Sequence, residues 1–209
     1  MFTVDRLNAV TADFQKYVEP QLYDSGMFDP DNSYVVVCEG DQDDLKTKMD
    51  MYAGIDMCTI DKEHQVVQGI ASRIQWGTCW RTFTIRALTD SGSFDTELKK
   101  RSMAIKKGDM YPTWTMQAYI RHDLQDDTKI LCTIGIIRTV DLFDYVMGEI
   151  TDQHFTGDEF FDALQNQFSI GEVDVRKNYA GGAVFLTCNW DKLINHGVDI
   201  KILNGVFDS

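Results

Sequence analysis

Tyr52-Ala-Gly-Ile-Asp56-Met-Cys-Thr-Ile60, Gly69-Ile-Ala-Ser-Arg73-Ile-Gln75 and Arg81-Thr-Phe-Thr-Ile-Arg86 are the three informative pieces of the stretch from Tyr52 to Arg86. The stretch predicts three consecutive strands: Ile55 to Ile60, Val66 to Trp76 and Trp80 to Leu88. Gly54 marks the turn into the first, Asp61-Lys-Glu-His is a hairpin connection, and Gly77-Thr-Cys makes the next turn. Phe83, Ile85 and Ala87 alternate with Thr82, Thr84 and Arg86, the period-two pattern of a half-exposed strand. The first strand carries a lone carboxylate, Asp56. The second carries Arg73 between Ser72 and Gln75, and the third carries Arg86.

Helices and further strands are predicted on either side. Val4, Leu7, Val10, Phe14 and Tyr17 recur at helical spacing, and the helix is expected to end before Pro20, with loop from Glu19 to Asn32. Tyr34 to Cys38 reads as a short buried strand. Asp41 to Met51 reads as a polar helix. After the three strands, Ser93 is expected to cap a helix from about Phe94 to Lys107, with Phe94, Leu98 and Ile105 on one face and Gly108 at its end. Thr113 to Ile120 is a strand whose Gln117 and Tyr119 are expected on an exposed face. Lys129 to Arg138 is a buried strand, and Val140 to Met147 is helical. The last sixty residues add a helix from Asp158 to Phe168, a strand from Gly182, a short helix capped by Asn189 and ending at Gly197, and a strand from Val198 to Leu203. No internal repeat is visible.

The chain has 209 residues, 44% hydrophobic and 25% charged, enough for an ordinary buried core. The expected class is α+β, a mixed central sheet flanked by helices with a C-terminal α/β addition. The expected organisation is one compact domain: residues 1–40 an N-terminal helix and strand, 41–147 the core, and 148–209 the addition. No apolar run is long enough to span a membrane, and Met-Phe-Thr-Val-Asp-Arg does not read as a secretory signal. Five scattered cysteines without a Cys-x-x-Cys read as reduced thiols of a cytoplasmic protein, and four scattered histidines do not suggest a zinc site.

The net charge of −13 is unevenly distributed. Arg73 to Lys107 holds eight basic residues against three acidic ones, whereas Thr139 to Val175 holds nine acidic residues and no Lys or Arg. The first segment suits a polyanion, because nucleic-acid binding draws on Lys and Arg to displace counterions. It also suits an ordinary solvated face.

From Asp41 the predicted order is helix, three strands, helix, two strands. Over roughly Asp41 to Ile120 this order, with Asp56 and Arg73, resembles the core of the PD-(D/E)XK phosphodiesterase superfamily, the restriction-endonuclease-like fold. The resemblance implies Asp56 as the metal-binding Asp, and Arg73 in the position of the family's Lys. Ala71 stands where the family places its second acid. Asp50 from the preceding helix and Glu97 from the following one are the substitutes the resemblance implies for a Mg²⁺ site shared with Asp56. Asp56, Arg73 and Gln75 would then be catalytic, with Gln75 a neutral ligand or positioner. Arg73 can stabilise charge on a phosphorane but cannot act as a base. Arg86, Lys99, Lys100 and Gln117 would contact nucleic acid. The same residues also admit plainer roles. Asp56 and Arg73 can form a cross-strand ion pair, Arg86 can be an exposed strand end, and Trp76, Trp80 and Trp114 can be core.

Three functions follow: a metal-dependent nuclease, an inert nucleic-acid-binding protein of the same fold, or an acidic DNA mimic occupying a basic protein partner. A homo-oligomer is a further possibility that the residues leave open.

Overall fold

The computed structural model describes residues 4–35, 54–61, 66–123, 128–178 and 181–204. Asp50, the predicted helix from Asp41 to Met51, and Cys38 lie outside them. The fold is α+β, with a six-stranded mixed sheet, a three-stranded sheet and several helices. Two compact units divide the chain: Met1–Trp80 with Pro112–Ile136 and Lys201–Ser209, and Arg81–Tyr111 with Ile137–Ile200. The units thus follow other lines than the expected division at residues 40 and 147, since each gathers separate stretches of chain.

The first unit is built on strands β1 (Ser33–Val35), β2 (Met57–Asp61), β3 (Val66–Trp76), β5 (Trp114–Asp123), β6 (Thr128–Arg138) and β9 (Ile200–Asn204), in the order β1-β2-β3-β5-β6-β9. β2 and β3 pair antiparallel, and β3 and β5 pair parallel. Phe14, Val18, Leu22 and Phe28 from the N-terminal segment form a core cluster with Met57, Ile70, Met116, Ala118, Ile134 and Ile136 of the sheet.

The N-terminal segment does not stop at Glu19. Helix α1 (Val4–Asp13) runs into a π-helical turn, Phe14–Val18, and on into α2 (Glu19–Asp24). Pro20 falls in the first turn of α2, directly after the π turn, and the helix runs on through it. The wider π turn resets the hydrogen-bond register just before the proline. This keeps Val18 and Leu22 on the buried side.

The predicted third strand belongs elsewhere. β4 (Thr82–Leu88) lies in the second unit, at one edge of a sheet ordered β4-β8-β7 with β8 (Val184–Asn189) and β7 (Asp174–Lys177). Strand periodicity reports that Thr82 to Leu88 is half-buried and extended, and carries no information about its partner. Its hydrogen-bonded neighbour lies about a hundred residues on, with Arg86 opposite Phe185. β7 was not anticipated; only four residues long, it offers too short a pattern to read.

Helix α3 (Glu97–Lys107) starts at Thr96, not at Ser93, and ends at the left-handed Gly108. Phe94 therefore precedes the helix, and its ring lies 6.0 Å from Phe160 and 5.3 Å from Phe161. Those phenylalanines belong to α5 (Gly157–Gln165), which follows α4 (Thr139–Asp152). The last helix, α6 (Trp190–Asn195), is capped as expected by the Asn189 side chain. Trp190 is fully buried in this unit, whereas Trp80, read as core, is 61% exposed.

Candidate functional site

Strand register decides which predicted residues meet. In the parallel pair β3–β5, Ala71 stands opposite Thr115, Arg73 opposite Gln117, and Gln75 opposite Tyr119. Residues two apart share a face of a sheet. These six therefore line one face, while Ile70, Met116 and Ala118 line the other and enter the core. Asp56 precedes Met57, a core residue, so it falls on the polar face. Its backbone N–H donates to the Ile70 carbonyl at 2.8 Å, and its carboxylate Oδ2 accepts the Ser72 N–H. Asp56 is thereby held just before β2, across from Ala71 and bonded to Ser72 of the partner strand.

This face is polar and largely withdrawn from water. Asp56, Arg73 and Gln75 are half-buried, and Thr115, Gln117 and Tyr119 are buried. The expected exposed face of Gln117 and Tyr119 is corrected: their exposures are 2% and 0%. β5 sits between β3 and β6, an interior position that covers both of its edges. A direct contact of Gln117 with nucleic acid at an exposed face is thus not what the fold offers. Its amide instead belongs to a buried polar row beside Arg73.

Glu97 sits in the second unit, in the first turn of α3. One of its carboxylate oxygens accepts the backbone N–H of Arg86 at 3.1 Å, and the other pairs with Arg101 at 2.5 Å. Arg101 is 8% exposed and its guanidinium lies 5.8 Å above the Phe143 ring. Thr96 Oγ1 donates to the Ala87 carbonyl at 3.0 Å. The start of α3 thus caps the outward backbone groups of edge strand β4, as an unpaired strand edge requires. Glu97 has this structural employment, and it belongs to a different unit from Asp56.

The rest of α3 presents cations. Lys99, Lys100, Lys106 and Lys107 are exposed, as is Met103 at their centre. Spacings of three, four and seven place all five on one stripe of the helix. Lys100 pairs with Asp95 at 3.4 Å, between two well-exposed side chains. Such a pair contributes little and yields readily to another anion.

Among the described residues, no group of three or more His, Cys, Asp or Glu side chains is placed to hold a metal ion. The side-chain oxygens on the polar face belong to Asp56, Gln75, Thr115, Gln117 and Tyr119. Cys58, Cys79 and Cys132 are half-buried free thiols and Cys188 a buried one. No helix among the described residues is long and apolar enough to cross a membrane.

Compared with known proteins, the chain matches no family, no curated sequence and no solved structure. The resemblance to the PD-(D/E)XK superfamily accordingly rests on its residues and element order alone.

Proposed function

We propose that the protein is a nuclease-derived protein acting on nucleic-acid phosphodiesters at the polar face of β2, β3 and β5. The observation that carries this reading is the register that gathers Asp56, Arg73, Gln75 and Gln117 on one sheet face. A carboxylate and a guanidinium on one face make a charge pattern that a phosphodiester site uses. Asp56 would hold Mg²⁺, with water and substrate phosphate oxygens completing its shell, and the ion would supply Lewis-acid stabilisation of phosphoryl charge. Arg73 supplies fixed positive charge to the non-bridging oxygens. Gln117 buttresses the Arg73 side of the face.

The test is incubation of labelled single- and double-stranded DNA and RNA with Mg²⁺ or Mn²⁺. Cleavage is expected from the native chain and is lost in Asp56→Asn and Arg73→Met. Intact substrate in every lane, or undiminished cutting by Asp56→Asn, overturns it.

The second reading is binding without cutting, and the α3 stripe of Lys99, Lys100, Lys106 and Lys107 favours it. It expects affinity to fall with salt, and each lysine removed to lower the log–log salt slope by about one. Fluorescence anisotropy on the quadruple Lys→Gln variant checks this. Unchanged affinity in that variant removes the stripe from the interface.

A further inference from the structure

The three-stranded sheet carries a second constellation. β4 and β7 flank β8, and both place an arginine opposite the same residue: Arg86 and Arg176 each stand across from Phe185. Directly opposed residues in antiparallel strands share a face, so the row reads Arg86–Phe185–Arg176 across the whole sheet. At ordinary strand spacing the two arginine backbones are about 10 Å apart with the ring midway. The neighbouring row, Thr84–Thr187–Asp174, is polar as well. Phe83, Ile85, Leu186 and Val175 alternate with these rows and are buried on the opposite face.

Arg86 is the informative member. Its guanidinium lies 5.6 Å from the Phe185 ring centroid, and its Nε is buried with no hydrogen-bond partner among the described residues. Glu97 takes its backbone N–H but directs the other carboxylate oxygen to Arg101. The remainder of the half-buried guanidinium is a planar donor edge of the kind an oxyanion accepts from. Arg176 is exposed and paired with Asp174 at 3.3 Å, an arrangement open to exchange.

We infer that this face binds single-stranded nucleic acid, with a base stacked on Phe185 and its flanking phosphates held by Arg86 and Arg176. An aromatic ring between two cations on a sheet surface offers both interactions an unpaired strand can make, whereas a duplex hides its base faces. This inference rests on the nucleic-acid reading above for its ligand, and concerns a separate set of residues.

The experiment titrates a fluorescein-labelled dT10 and a 20-base-pair duplex into the native chain, Phe185→Leu, Arg86→Lys and Arg176→Gln. Phe185→Leu keeps an apolar strand residue, and is expected to weaken dT10 binding by about 5- to 100-fold while leaving duplex affinity unchanged. Arg86→Lys keeps the charge but removes the donor edge, and weakens dT10 as well. A ¹⁵N spectrum follows the Arg86 Nε–Hε resonance, which shifts on adding dT10. Equal dT10 affinity in the native chain and Phe185→Leu, or a static Arg86 resonance at saturation, overturns the inference. If the native chain binds the duplex but not dT10, only this inference fails; if it neither binds nor cuts any nucleic acid, the reading beneath it fails too.

Discussion

Lys129 Nζ lies 2.9 and 2.8 Å from the two carboxylate oxygens of Asp13, joining the N-terminal helix to β6 inside the first unit. Trp76 Nε1 donates to the same carboxylate at 2.7 Å. Asp13 is 5% exposed, so its charge depends on both partners. Asp13→Ala should lower the unfolding free energy by roughly 1.5–3 kcal/mol, the range for hydrogen bonds to a charged group. Asp13→Asn, which keeps an acceptor for Trp76, should lose less. Urea denaturation checks the order, with exposed Asp24→Ala as the reference; a loss no larger than that reference refutes the clamp.

Gly69 is buried on β3, and a Cβ placed there would meet Ile55 Cδ1 at 2.9 Å and its Cγ atoms at 3.0 Å. Ile55 is itself buried. Gly69→Ala should therefore destabilise by about 1–3 kcal/mol through overpacking. Combining it with Ile55→Ala should cost less than the sum of the two, because the methyl fills the space that Ile55 leaves. A double-mutant cycle by chemical denaturation measures the coupling, and strict additivity would show that the two positions do not contend for space.

Helix α5 begins with a reciprocal cap. Glu159 N–H donates to Thr156 Oγ1 at 3.3 Å, and Thr156 N–H donates to Glu159 Oε2 at 2.8 Å. The backbone bond from Thr156, then its hydroxyl, holds the Glu159 carboxyl below its ordinary value. A depressed folded value means the contribution is complete above the ordinary carboxylate range, and lost as pH falls through the lowered value. Glu159→Gln should flatten this part of the acid-side stability profile, read as thermal midpoints between pH 2 and 6, a window of roughly two units either side of the carboxylate range. Identical profiles for both chains would disprove the assignment.

Burial, then the nearby Asp174 and Glu149 carboxylates, pushes the Cys188 thiol up to about 12. The raised value contributes stability that is present below the ordinary thiol range and is lost as pH rises toward that figure. In the native state Cys188 should escape iodoacetamide while half-buried Cys79 and Cys132 are alkylated, and should react once denaturant opens the second unit. Mass mapping of a short alkylation pulse decides this; early modification of Cys188 contradicts it.

Much of the local structure was legible because it has local causes. β3 was read residue for residue at Val66 to Trp76, and Gly108 and Asn189 mark helix ends through their own backbone and side-chain chemistry. Pro20 misled because a proline's effect depends on the hydrogen-bond register it enters, and the π turn at Phe14–Val18 had shifted that register.

The sequence by itself determined the α+β class, the alternation of strands, and the separate identity of a basic helix and an acidic stretch. Each of these follows from periodicity, capping or composition over a few neighbouring residues. Only the tertiary structure decided that the third strand of the opening stretch leaves the first two for β8, and that Gln117 and Tyr119 are buried. It also decided that Glu97 serves Arg86 and Arg101 in a different unit from Asp56. Strand partnership depends on residues a hundred positions away, and a pattern of period two reports a buried face without reporting what covers the other. The register of β4 against β8 set Arg86 across from Phe185.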